Sequence, residues 1–175
     1  MVTITISGTP GSGKTTVTTL LEKKIKIKSV YSGEIFRNLA KKYKMSLEKF
    51  GKYCEDNSKI DKELDEKQVE ILKKGNIILE GRLSGWLAHL NNISALKVSI
   101  DADLNIRVRR IVNREKGSIE KRKKEIIKRE KSECLRYKKY YNIDLKDMSI
   151  YDIIIDSGDK KPEEIVKIII DKLNK

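Results

Sequence analysis

One histidine, two prolines, two cysteines and one tryptophan in a chain of 175 residues leave several chemistries without their parts. His89, standing alone, offers no Ser-His or Cys-His pair, so any catalysis is expected to be electrostatic rather than nucleophilic. Cys54 and Cys134 are far apart and form no Cys-x-x-Cys pair, which argues against a zinc site or a disulfide framework and fits a reduced, cytoplasmic setting. No apolar run approaches the ~18 residues needed to cross a bilayer, so no membrane association is expected. No Asn-Lys-x-Asp run is present to read guanine, which disfavours a GTPase.

The chain has charge in abundance, but most of the excess lies in one place. Of the net +13, residues 107–139 carry +10, from fifteen Lys and Arg against five Glu. Such a segment binds nucleic acid, an anionic surface or a phosphorylated small molecule, or is a solvated helix face. Aromatics are interleaved in it only near Tyr137, Tyr140 and Tyr141, which argues against stacking on single-stranded nucleic acid.

The most informative stretch is Gly8-Thr9-Pro10-Gly11-Ser12-Gly13-Lys14-Thr15, of the pattern G-x-x-x-x-G-K-[ST], between the strand-like run from Val2 and a helical run from Lys14. Glycines let successive backbone N–H groups turn in around phosphate oxygens, and the helix that follows aims its positive end at the same anion. Lys14 reaches the outer phosphates, Thr15 is placed to ligate magnesium, and Thr16 completes the ATP-binding set.

Elsewhere short apolar runs alternate with helical patterns, the signature of a parallel sheet wrapped by helices in one α/β domain over 1–175. Strands are expected at 2–6, 27–31, 76–80, 96–100 and 151–155. Helices are expected from Lys14, from Glu34, from Ser46 as N-cap with Leu47, Phe50 and Tyr53 inward, over 62–73, after Asp103 as cap, and from Pro162. Residues 55–59 read as a polar connector and 81–86 as a loop. The stretch 117–141 holds too few apolar residues for a core of its own and reads as a helical excursion at the surface.

Candidate ligand-binding residues cluster after strand ends, where open α/β sheets bind. Glu80 closes a buried apolar strand; a magnesium ion shared with Thr15 through water compensates such an acid. Arg37 and Arg82 follow strand-end turns and present planar donor forks to an acceptor. Arg110 and Arg114 share a helix face, and Arg129, Glu133 and Arg136 repeat the spacing. Arginine at these positions suits charge on a transferring phosphoryl group.

The order of the phosphate loop, Ser32-Gly33-x-x-x-Arg37, Glu80-Gly81-Arg82, Arg110-Ile111-Val112-x-Arg114 and Arg129-x-x-x-Glu133-x-x-Arg136 resembles nucleoside monophosphate kinases, most of all the archaeal branch of cytidylate kinase, over nearly the whole chain. The resemblance implies a P-loop kinase: a five-stranded parallel sheet flanked by helices, with an acceptor-binding helical insertion near 33–66 and a lid near 114–130. It implies transfer of the γ-phosphoryl of ATP, with Mg2+, to CMP or dCMP. Lys14, Arg110, Arg114, Arg129 and Arg136 would then act on the phosphoryl in flight. Arg37 would hold the acceptor phosphate, Ser32 and Arg82 would lie near the acceptor nucleotide, and Glu133 would orient an arginine or a ribose hydroxyl. The loop Ser157 to Lys161 would hold adenine.

One position departs from the family. Bacterial cytidylate kinases follow the glycine-arginine pair with an aspartate that contacts cytosine, where this chain has Leu83. Asp61 and Asp65, on the insertion, are the expected replacements. Partners are expected to be these nucleotides alone, with no nucleic acid and a monomeric state. An adenylate or other small-acceptor kinase is the alternative enzyme, and an RNA-binding P-loop switch the alternative of another class.

Overall fold

All five apolar runs become strands of one parallel sheet in the computed structural model, which describes residues 2–174. The strands are β1 (Thr3–Gly8), β2 (Ser29–Tyr31), β3 (Ile77–Glu80), β4 (Leu96–Asp101) and β5 (Ile153–Asp156), in the order β2-β3-β1-β4-β5. Register is direct: Ile4 sits opposite Ile78 on one side and Leu96 on the other, and Val98 opposite Ile153. The helices are α1 (Lys14–Ile25), α2 (Ser32–Lys42), α3 (Leu47–Asp56), α4 (Ser58–Lys74), α5 (Ser84–Leu90), α6 (Leu104–Glu115), α7 (Ile119–Tyr141) and α8 (Pro162–Leu173).

Strand alternation sorts the core into two layers. Ile4, Ile6, Ile78, Val98, Ile100 and Ile155 face Val17 and Leu21 of α1 and Ile165, Val166 and Ile169 of α8. Ile77 and Leu79 point the other way, into a cluster with Leu72 of α4 and Trp86 and Leu87 of α5. A third, smaller cluster of Ala40, Phe50 and Cys54, with Phe36 against it, lies within the expected insertion.

Several elements follow their local signals. The Ser46 hydroxyl accepts from the Lys49 N–H and Asp103 accepts from the Asn105 N–H, so both act as N-caps. Pro162 occupies the first turn of α8, with the Glu164 carboxylate accepting from the Lys161 N–H. Other expectations need correction. Residues 81–86 are not all loop: α5 starts at Ser84, and Gly85 enters it because a Cβ there would meet the Tyr151 ring at 2.6 Å. The connector at 55–59 shrinks to Asn57, which caps α3 at its end and α4 at its start. Leu47 is exposed, although Phe50 is fully buried. β2 starts at Ser29 rather than at 27, and α2 begins at Ser32, directly on the strand end and two residues before the expected Glu34.

The largest difference concerns 117–141. This stretch is one 23-residue helix, α7, roughly 35 Å long at 1.5 Å per residue. It is no mere surface excursion. Ile126 packs with Val108 and Ile111 of α6, Tyr137 and Tyr141 pack against the layer under α5, and Glu133 and Arg136 are buried.

Candidate active site

A parallel sheet brings all five carboxyl ends to one edge, and the polar residues that follow them meet there. They line a cleft of about 1040 Å³ that takes in Pro10 to Thr16, Ser32, Arg37, Glu80, Arg82, Ser157 and side chains of α4, α6 and α7. Gly8 and Thr9 lie outside that lining; the Thr9 hydroxyl donates to Asp101 at the end of β4.

The phosphate loop is shaped by glycine where side chains are excluded. Gly11 has φ 83° and Gly13 φ 86°, left-handed values that other residues adopt at a cost. A Cβ on Gly11 would also meet the Arg107 carbonyl oxygen at 2.7 Å. Arg107 is the residue that ties the loop down. Buried on α6, it donates to the Ala102 carbonyl at 2.9 Å, to the Pro10 carbonyl at 3.2 Å and to Glu130 of α7 at 2.6 Å. Nothing in the sequence singled it out, since its partners lie up to 97 positions away.

Lys14 points from the loop towards Glu80, Nζ to Oε1 at 3.8 Å, and donates to the Thr9 carbonyl at 3.3 Å. Burial lowers its ammonium to about 8; Glu80 opposes this, while the Arg82 and Arg129 charges add to it. The Thr15 hydroxyl donates to Glu80 Oε2 at 2.8 Å. Thr15 and Glu80 thus form an all-oxygen pair at the start of α1, the hard donor type that magnesium prefers. Thr16 is exposed beside them.

Of the remaining arginines, Arg82 and Arg129 are brought together by one carboxylate. Arg82 Nε donates to Glu133 Oε2 at 2.6 Å and Arg129 Nε to Glu133 Oε1 at 2.9 Å. Burial by itself would raise the Glu133 carboxyl, but the two guanidinium charges and their hydrogen bonds outweigh it and hold the group at about 2. Arg37, on the exposed face of α2, lines the cleft, and no hydrogen bond or ion pair occupies it among the described residues. Arg110 reaches the opposite direction, to the Ser12 carbonyl at 3.3 Å, the Ser157 hydroxyl at 2.9 Å and the Ser157 carbonyl at 2.7 Å. Arg114 is exposed and pairs with its neighbour Glu115. Arg136 is buried: its NH1 donates to both Asp61 oxygens, at 2.6 and 2.5 Å, and its guanidinium lies 5.4 Å from the Phe36 ring centre.

Asp61 is therefore engaged by Arg136, while Asp65 belongs to a different set. Its oxygens accept from Gln68 Nε2 at 3.0 Å and from the Tyr141 hydroxyl at 2.7 Å. The Ser32 hydroxyl donates to the Gln68 side-chain oxygen. Gln68 was not among the expected site residues, although its place three positions after Asp65 and seven after Asp61, on one helix face, was visible in the sequence.

The model of the cytidylate kinase-like family matches residues 3–159. A cytidylate kinase of Methanocaldococcus jannaschii is 44% identical over 176 residues, covering 98% of this chain and 99% of that protein. A cytidylate kinase of Pyrococcus horikoshii is 42% identical over 174 residues, covering 98% and 89%. Among solved structures, an uncharacterized protein from Eubacterium ventriosum superposes with a TM-score of 0.73 at 18% identity, over 99% of both chains. The shikimate kinase of Aquifex aeolicus does so with a TM-score of 0.59 at 21% identity, over 99% of this chain and 96% of that one.

Proposed function

The chain belongs to the cytidylate kinase-like family, and on that premise we propose that it moves the γ-phosphoryl of ATP onto the phosphate of CMP or dCMP, giving ADP and CDP or dCDP. The observation that carries the reading is a single cleft lined both by a triphosphate-binding loop and by arginines from α2, α6, α7 and the turn after β3. A phosphate oxygen of the acceptor attacks the γ-phosphorus, the bond from that phosphorus to the β–γ bridging oxygen breaks, and the oxygen leaves on ADP. The attacking oxygen is already anionic, so no general base is required, and the protein's task is to position groups and balance charge.

The residues divide that task by position. Backbone N–H groups of the loop and the amino end of α1 cradle the donor phosphates. Lys14 balances charge on the outer phosphates as the bridging bond lengthens. Arg82 and Arg129, aligned by Glu133, present guanidinium groups to the transferring phosphoryl, and Arg37 holds the acceptor phosphate. Arg114, exposed at the end of α6, is available to join them when α7 tilts its first turns over the donor. Arg110 holds the Ser157–Gly158 loop against Ser12, at the end of the cleft suited to the adenine of ATP. Arg136 is assigned a supporting role, because its NH1 is spent on Asp61.

Thr15 and Glu80, an oxygen pair in mutual contact, would hold a magnesium ion carried in with ATP. Among the described residues no group of three His, Cys, Asp or Glu side chains could hold a metal unaided, so the triphosphate is needed to complete the site. Such an ion would supply charge neutralisation on the triphosphate.

A coupled assay of ADP release with CMP, dCMP, UMP, AMP and shikimate as acceptors tests the reading. CMP or dCMP should give the highest kcat/KM. A preference of ~10-fold or more for AMP would replace the assignment with an adenylate kinase.

A further inference from the structure

Discrimination between pyrimidines depends on which polar groups the cleft leaves unspent. The face of α4 turned into the cleft carries Asp61, Asp65 and Gln68, all at least nine-tenths buried. Leu83 supplies no polar atom; it is 2% exposed and packs with Trp86 and Leu87. The base must therefore be read by other residues.

Hydrogen bonding on this face leaves a one-sided inventory. The Ser32 hydroxyl proton goes to the Gln68 oxygen. Gln68 Nε2 donates to the Leu64 carbonyl at 3.3 Å and to Asp65 Oδ1 at 3.0 Å, which uses both of its hydrogens. While Asp65 is ionised the amide cannot be turned over, because its oxygen would then confront a carbonyl and a carboxylate, neither of which can donate. The Tyr141 proton goes to Asp65 Oδ2 at 2.7 Å, and Asp61 is consumed by Arg136. What remains is acceptor capacity: the second lone pairs of the Asp65 oxygens and of the Gln68 oxygen.

Resting on the kinase reading above, we propose that Asp65 with Gln68 is the base-reading pair, an acceptor-only surface that selects acceptors bearing an exocyclic amino group and rejects keto bases. Cytosine offers an N–H there and uracil a carbonyl oxygen, which would face lone pairs with no proton between them. Two bases of equal size are thereby separated by desolvation of an unpaired acceptor rather than by shape. Arg136 lies beside this set, its Nε–H buried and without a partner among the described residues and its NH1 held by Asp61, so it adds no exposed donor to the pair. Burial pushes the Asp65 carboxyl up to about 7, so the surface is fully acceptor-only on the alkaline side of neutrality.

The test is a cycle between protein and substrate at pH 8, comparing CMP, UMP and the CMP analogue that lacks the 4-amino group. Wild type should lose at least ~30-fold in kcat/KM when the amino group is removed, and as much or more with UMP. Asp65→Asn should lose at least ~30-fold with CMP and at least tenfold less than that with the analogue. Gln68→Met, similar in volume, should repeat the contrast and serves if Asp65→Asn does not fold. Wild type treating CMP and the analogue alike, or variants losing equally on both, would overturn the assignment while leaving the kinase reading intact. Failure of wild type to phosphorylate any nucleotide would instead remove the reading on which it rests.

Discussion

Arg82 and Glu133, 51 positions apart, meet at 2.6 Å under the cleft, and through the second oxygen of the same carboxylate Arg82 is set beside Arg129. Two guanidinium groups that would repel each other are held side by side. The alignment also acts on Lys14, since both arginines push its ammonium towards the neutral form.

Glu133→Ala should therefore cost both stability and rate. Removing one member of a buried ion cluster leaves uncompensated charge and costs about 3 kcal/mol or more. The carboxyl sits at about 2 when folded, below its ordinary 4.5, so its contribution is complete above pH 4.5 and is lost as pH falls towards 2. Urea titrations at pH 7 and pH 3 should show a larger gap between wild type and variant at pH 7. An equal gap at both would contradict the assignment.

Lys14→Ala, in a folded variant, should lower kcat by at least ~10²-fold, as expected of a charge that acts on the transition state. A change confined to the KM for ATP would reduce Lys14 to ground-state binding.

Because burial holds the Lys14 ammonium near 8, the free protein is partly uncharged there at alkaline pH. A triphosphate beside it restores the charge, so ATP binding should take up about one proton at pH 9 that it does not take up at pH 6.5. Calorimetry in buffers of different ionisation enthalpy measures this uptake. The same uptake in Lys14→Met would assign the proton elsewhere.

Below pH 7 the Asp65 carboxyl gains a proton, and an acceptor becomes a donor. It titrates facing Tyr141, Gln68, Asp61 and Arg136, with Tyr137 and Glu133 on the adjoining face of α7. The ratio of kcat/KM for CMP to that for the amino-lacking analogue should fall about tenfold per pH unit on the acid side. Taking the ratio cancels the titration of the substrate phosphate. A ratio that does not change between pH 8 and pH 5.5 would sink the prediction.

Arg107→Met should raise the KM for ATP by about tenfold, because the Pro10 carbonyl and Glu130 of α7 lose their common donor. Glu130→Gln keeps the donation to Pro10 and should have a smaller effect. Equal effects from both would place the influence of Arg107 in its contact with α7 rather than in the loop.

How much of this could be read from the sequence depended on how far apart the cooperating residues lie. Gly8 to Thr15 is contiguous, and its geometry is dictated within eight residues; Ser46, Asp103 and Pro162 act within one helical turn. Ser84 to Leu90 was hidden because glycine at 81 and 85 mimics a loop, and only the packing of Gly85 against Tyr151 explains its place in a helix. α7 misled for a different reason: its buried residues include Glu133 and Arg136, which hydrophobic periodicity counts as exposed. The commitment of Asp61 to Arg136 spans 75 positions, so sequence alone could not separate it from Asp65, one turn away on the same face.

α7 has one further consequence. Its early turns bring Arg122 and Glu125 into the cleft wall, its middle grips Arg82, and its last turns reach Asp61 and Asp65, all on a single uninterrupted rod. A rod cannot tilt at one end without swinging the other, so seating of the two nucleotides is geared together. Each should tighten the grip on its companion by the same factor, and an empty acceptor seat should leave ATP poorly exposed to attack by water.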